Sequence, residues 1–140
     1  MLKKTAVSLI GRIRDSANRL IISELEKHGV EGIVPSHGDI LACLYQNGPV
    51  TMKDLAEYIH RTKPTVTVLV NKLVELGYVT REKDAGDNRI TYINLTEKGV
   101  ALQPVFNEVS ARLNAIIYCG LTETEGENFE KLLENILRRF

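Results

Sequence analysis

Cysteine is scarce: Cys43 and Cys119 are the only two in 140 residues. Two cysteines cannot build a disulfide framework. Both fall in apolar helical patterns, so they read as buried small hydrophobes in a reducing compartment. Histidine is also sparse. His28, His37 and His60 lie far apart, and no Cys or His pair has metal-ligand spacing, so no metal is expected. Long apolar runs are missing. None approaches the roughly 18 residues of a membrane span. The stretch Met1–Ile10 is too short for a signal core and runs into charge at Arg12, Arg14 and Asp15. The expected compartment is the cytoplasm, with no membrane contact. Net charge is missing too: 18 basic residues balance 18 acidic ones. Binding to nucleic acid would therefore need a local basic patch. There is no Gly-rich phosphate loop and no Gly-x-Ser-x-Gly elbow, so neither an enzyme nor a cofactor is expected.

What is present is an ordinary globular composition, 44% apolar and 26% charged. The length fits one domain, residues 1–140, that can bury a core. Disorder is excluded by the apolar content. Ala6, Ile10, Ile13, Ala17, Leu20, Ile21 and Leu25 recur at helical spacing and predict a helix from about Thr5 to His28, stopped by Gly29. After a linker at Gly32–Pro35, Ser36 reads as an N-cap with Asp39 three residues on. The helix it opens turns Ile40, Leu41, Leu44 and Tyr45 inward and ends at Asn47-Gly48-Pro49. Thr51 caps a short helix ending near Tyr58–His60. Thr62 caps the next, with Lys63 and Pro64 in its first turn. Its stripe is Val66, Leu69, Val70, Leu73 and Leu76, closed by Gly77. The period then changes. Tyr78–Lys83 and Arg89–Leu95 read as the two strands of a hairpin turning at Asp84–Asn88. Thr96-Glu97-Lys98-Gly99 opens a helix to about Tyr118, kinked or restarted by Pro104. Thr122 and Glu125 form a capping box, and Phe129, Leu132, Leu133, Ile136, Leu137 and Phe140 repeat at helical spacing.

The fold class read from this is mostly α with one β-hairpin. A short helix, a tight turn, a longer helix and a hairpin make a winged helix-turn-helix over residues 36–95. Helices at 1–28 and 96–140 flank it. Their surplus apolar residues, such as Leu2, Leu9, Ile10, Phe129 and Phe140, suggest an isologous homodimer. In a helix-turn-helix the second helix enters the major groove with its N-terminal half. Its outward residues here are Lys63, Pro64, Thr65, Thr67, Val68, Asn71 and Lys72. These reach phosphates and base edges, and Val68 or Pro64 can pack on a thymine methyl.

Thr62-Lys63-Pro64-Thr65-Val66-Thr67-x-Leu69-Val70-x-Lys72-Leu73, Leu76-Gly77-Tyr78-Val79-x-Arg81, Asp87-x-Arg89 and Leu95-Thr96-Glu97-Lys98-Gly99 follow one another in order. Together with Pro49–Ala56 upstream, this series resembles the multiple antibiotic resistance regulator (MarR) family. The resemblance spans nearly the whole chain. It implies a cytoplasmic homodimeric winged-helix transcription factor, usually a repressor of a pseudo-palindromic site on double-stranded DNA, often released by a small anionic or phenolic ligand. It implies that Arg89 at the wing tip reads the minor groove with Asp87 as its brace, and that Arg81 joins the DNA face. A narrow A·T minor groove attracts Arg. It places a ligand pocket between the DNA-binding lobe and the flanking helices, where Arg12, His37 and Tyr45 are the candidates for a small aromatic acid. Two departures reduce the charge of the DNA face: Val68 and Asn88 stand where such proteins often carry basic residues. Six basic residues face four acidic ones from Arg61 to Arg89. With no histidine after His60 and no cysteine near the start, the zinc-sensing and peroxide-sensing branches do not fit. The alternative reading is a winged-helix module that binds protein instead of DNA.

Overall fold

A computed structural model describes all 140 residues. Seven helices and three short strands follow in order: α1 (Ala6–Lys27), α2 (Pro35–Asn47), β1 (Val50–Thr51), α3 (Met52–Ile59), α4 (Lys63–Glu75), β2 (Val79–Lys83), β3 (Thr91–Leu95), α5 (Glu97–Ala101), α6 (Gln103–Ile117) and α7 (Glu123–Leu137). This is the expected mostly helical winged helix-turn-helix, with one addition. The wing hairpin is part of a three-stranded antiparallel sheet, ordered β1-β3-β2. β1 pairs Val50 with Ile93 and Thr51 with Tyr92. Two residues are too short for alternation to show, and Thr51 also caps α3, its Oγ1 accepting from the Asp54 N–H at 3.1 Å. The third strand anchors a hairpin that would be marginal alone.

The core lies inside the lobe. Ile40, Leu41 and Leu44 of α2, Leu55 of α3, Val66, Val70 and Leu73 of α4, and Val79 and Ile93 of the sheet are fully buried. The stripe expected on α4 is this inner face, with Leu69 half-buried at its margin. The turn between α3 and α4 is tight because His60 adopts the left-handed conformation, φ +57°. α5 and α6 form a restarted helix: Ala101 ends one and Gln103 begins the next, so Pro104 falls in a first turn, where a missing N–H leaves nothing unpaired.

Two local readings are corrected. α2 starts at Pro35, so Ser36 lies inside it and is not its N-cap. The capping is done by His37, whose Nδ1 accepts from the Val34 N–H at 2.9 Å. Cys119 is exposed, whereas Cys43 is buried as expected. Burial pushes the Cys43 thiol up, which leaves it a poor thiolate.

The His37 cap predicts a pH dependence. Accepting the Val34 N–H requires a neutral ring nitrogen. Burial, then the nearby Lys72 charge, holds His37 below its ordinary 6.5. As pH falls below about 6.5 the unfolded chain takes up the proton first. The stability His37 contributes is therefore complete at neutral pH and is lost as pH drops through its folded value. An NMR titration of the His37 ring should show a midpoint below 6.5, with the Val34 amide shifting alongside it; a raised midpoint would refute the cap.

α1 and α6 pack together as the base of the molecule. Their ends are tied by Glu24, which takes Lys27 at 3.1 Å and Arg112 at 3.4 Å, and by His28 Nε2 with Glu108 at 3.2 Å. α7 begins with the expected capping box: Thr122 Oγ1 accepts from the Glu125 N–H, and Glu125 accepts from the Thr122 N–H. Its apolar residues are nonetheless exposed in the single chain, as are Leu2, Leu9 and Ile10 of the N-terminus.

Candidate nucleic-acid interface

The interface is built from the start of α4 and the tip of the wing. Lys63, Pro64, Thr65, Thr67, Val68 and Asn71 are all exposed on α4, while Lys72 is half-exposed on its flank. Two hydroxyls are partly engaged. Thr67 Oγ1 donates to the Lys63 carbonyl at 3.0 Å, and Thr62 Oγ1 donates to Thr65 Oγ1 at 3.1 Å. Lys72 Nζ stands 4.0 Å from Glu75, so its charge on this face is partly offset. Arg81 is exposed on β2, paired across from Ile93.

The wing tip is rigidly organised. Asp84 Oδ2 accepts from the N–H groups of Gly86 and Asp87, at 3.0 and 2.9 Å. Asp87 Oδ1 then accepts from the Arg89 N–H and from Arg89 Nε, both at 3.0 Å, while Nη2 donates to Oδ2 at 3.1 Å. This fork fixes the guanidinium against its own turn, and the Arg89 side chain is 90% exposed. The Arg89 guanidinium, followed by its N–H, holds the Asp87 carboxyl below its usual range. Asp87 is therefore an ionised brace at neutral pH. Asp84 had no place among the sequence candidates. Its signal was available: an Asp two residues before Gly86 is the pattern of a turn in which the side chain bonds the backbone ahead.

The wing is joined to the flanking helices through Thr96-Glu97-Lys98-Gly99. Thr96 Oγ1 accepts from the Gly99 N–H at 3.1 Å and donates to the Gly77 carbonyl at 2.5 Å. Lys98 Nζ donates to the Leu76 carbonyl at 2.6 Å and lies 4.5 Å from the centre of the Tyr78 ring. These residues satisfy carbonyls left open where α4 ends, so the motif sets the recognition helix relative to α5.

A cavity of about 160 Å³ occupies the seam between lobe and flanking helices. Ile21 and Leu25, Leu41, and Leu102, Phe106 and Val109 line it, with Asp39 and Ser110 as its polar groups. The three ligand candidates do not meet there, which corrects that grouping. Tyr45 packs edge-on against Phe106 and donates its hydroxyl to the Gly99 carbonyl at 2.7 Å; burial pushes it up to about 12. His37 caps α2. Arg12 lines a separate groove with Leu9, Ile13, Ile116 and Phe129.

A helix-turn-helix whose hairpin carries a braced arginine at its tip defines a winged helix-turn-helix protein. Residues 33–91 match the model of the MarR family. The chain is 26% identical over 129 residues to the HTH-type transcriptional regulator MhqR of Bacillus subtilis, covering 91% of this chain and 86% of that protein. Its structure is similar to that of S. aureus MepR in a DNA complex, with TM-score 0.86, 26% identity and full coverage of both chains. It is also similar to a MarR transcriptional regulator from Methanosarcina mazei Go1, with TM-score 0.82 and 25% identity over 99% of this chain and all of that one.

Proposed function

We propose that the protein is a cytoplasmic transcriptional regulator, a repressor, that binds a pseudo-palindromic operator as a homodimer. The observation that carries this is Arg89, exposed at the wing tip and held in a fork by Asp87. A surface arginine with no tertiary partner beyond its own turn has no structural task. At the tip of a wing it is placed for the minor groove, with α4 in the adjacent major groove. The likeness to MepR in its DNA complex supports the same reading. The exposed apolar residues of α7 and the N-terminus supply what a two-fold partner would cover. Lys63, Pro64, Thr65, Thr67, Val68, Asn71, Lys72 and Arg81 provide the remaining DNA contacts.

The test is binding to duplexes selected from a random pool, measured across a salt series. Affinity should fall with salt and exceed that for unselected DNA. Absence of salt-dependent, sequence-preferring binding would favour the protein-binding module. In the same assay Lys72→Ala should weaken all sequences alike and lower the salt slope by about one unit, the mark of a phosphate contact. A changed sequence preference would assign Lys72 to a base instead.

Release by a small ligand is proposed for the seam cavity. An apolar cavity of similar volume, about 150 Å³, accepts one aromatic ring. The charged group in this lining is the Asp39 carboxylate, so a phenol suits the cavity better than an aromatic acid. A ligand there shifts DNA affinity only through differential affinity for the two arrangements of the lobe.

A further inference from the structure

Between residues 36 and 95, Tyr58 and Val68 are the exposed large hydrophobic residues. The Tyr58 hydroxyl is engaged with the Gln46 side chain. Val68 has no such partner: it is 68% exposed in the middle of α4. At about 100° per residue, Val68 lies about 200° round the helix from Val66, directly opposite the buried stripe. Pro64, one turn before it, and Asn71, one turn after, share this outward crest. Lys72, also one turn after, stands about 40° round the helix from Val68, and its charge is partly offset by Glu75 at 4.0 Å.

At position 68 itself the crest lacks the group that reads guanine, an arginine or lysine on O6 and N7. What Pro64, Val68 and Asn71 offer is an apolar surface and one carboxamide. An apolar side chain in the major groove distinguishes one feature, the C5-methyl of thymine, and Asn is suited to adenine. We propose that Val68 is a specificity residue that reads a thymine by its methyl group. Each half-site then carries a thymine recognised without a charged contact. This rests on the DNA-binding reading above, and it gives the absence of a cation at position 68 a role in selecting sequence.

The experiment separates the two claims. Duplexes are first selected from a random pool with the full-length protein, and each thymine of the tightest duplex is then replaced in turn by uracil. Uracil keeps every hydrogen-bonding group and lacks only the methyl. We expect a loss of about threefold to fivefold at one symmetry-related pair of thymines, the size of one methyl group taken out of water. Val68→Ser should remove that loss while leaving other positions unchanged, and its melting temperature should match the parent because Val68 is exposed. Selected duplexes that bind equally with uracil throughout would overturn the assignment and leave the DNA-binding reading standing. A uracil penalty that persists at every position in Val68→Ser would also overturn it. Failure to select any duplex would overturn both.

Discussion

Gly99→Ala is expected to lower the melting temperature by about 10 °C, a loss of about 3 kcal/mol at the upper end for an overpacked core site. The cause is backbone, not propensity. A Cβ at position 99 would lie 2.2 Å from the Tyr78 carbonyl oxygen and 3.1 Å from Leu95 Cδ2. A carbonyl already receiving the Thr96 N–H at 3.0 Å cannot move aside without breaking that bond. The Gly99 carbonyl also receives the Tyr45 hydroxyl, so a shift of α5 disturbs α2 as well. Alanine is otherwise the better helix former, so a gain in stability would show that the contact is not what keeps glycine there. Thermal melts of the two proteins decide this.

Arg89→Ala is expected to weaken operator binding by about tenfold to a hundredfold per protomer, the range for loss of a DNA-reading arginine. Stability should be unchanged, because Arg89 bonds only Asp87 and both sit at the surface of the wing. The loss should be largest on duplexes with A·T pairs under the wing, where the groove is narrow and its potential most negative. Asp87→Asn keeps the arginine and removes the fork, so it should give a smaller loss of the same kind. Titration of labelled duplexes with the three proteins measures this. Undiminished binding by Arg89→Ala would remove the wing from the interface.

Most of the architecture was legible because it follows from local chemistry. The stripe at Val66, Leu69, Val70 and Leu73 is a helix in any context, and Gly77 followed by alternating residues marks the change to strand. Caps at Thr51, Thr96 and Thr122 carry their own signals, and each accepts the expected N–H. The readings that failed depend on tertiary partners. β1 exists because Ile93 and Tyr92 stand beside it, which two residues cannot announce. Ser36 is a better intrinsic cap than anything at position 34, yet Pro35 already fits a first helical turn and the His37 ring supplies the acceptor. At the candidate site the outward face of α4 and the Asp87–Arg89 pair could be read from periodicity and motif. The seam cavity could not. Its walls come from α1, α2 and α6, and nothing local shows that Tyr45 is committed to the Gly99 carbonyl or that Arg12 faces α6.

The central claim is that two copies of α4 and two wings grip one duplex about a two-fold axis. Hydroxyl-radical footprinting of the full-length protein on a selected duplex tests it most directly. Two protected half-sites in inverted orientation are predicted, their centres about 10 base pairs apart, one turn of DNA. Flanking minor-groove protection should disappear in Arg89→Ala. A single unsymmetrical footprint, or flanking protection that survives Arg89→Ala, would contradict the account.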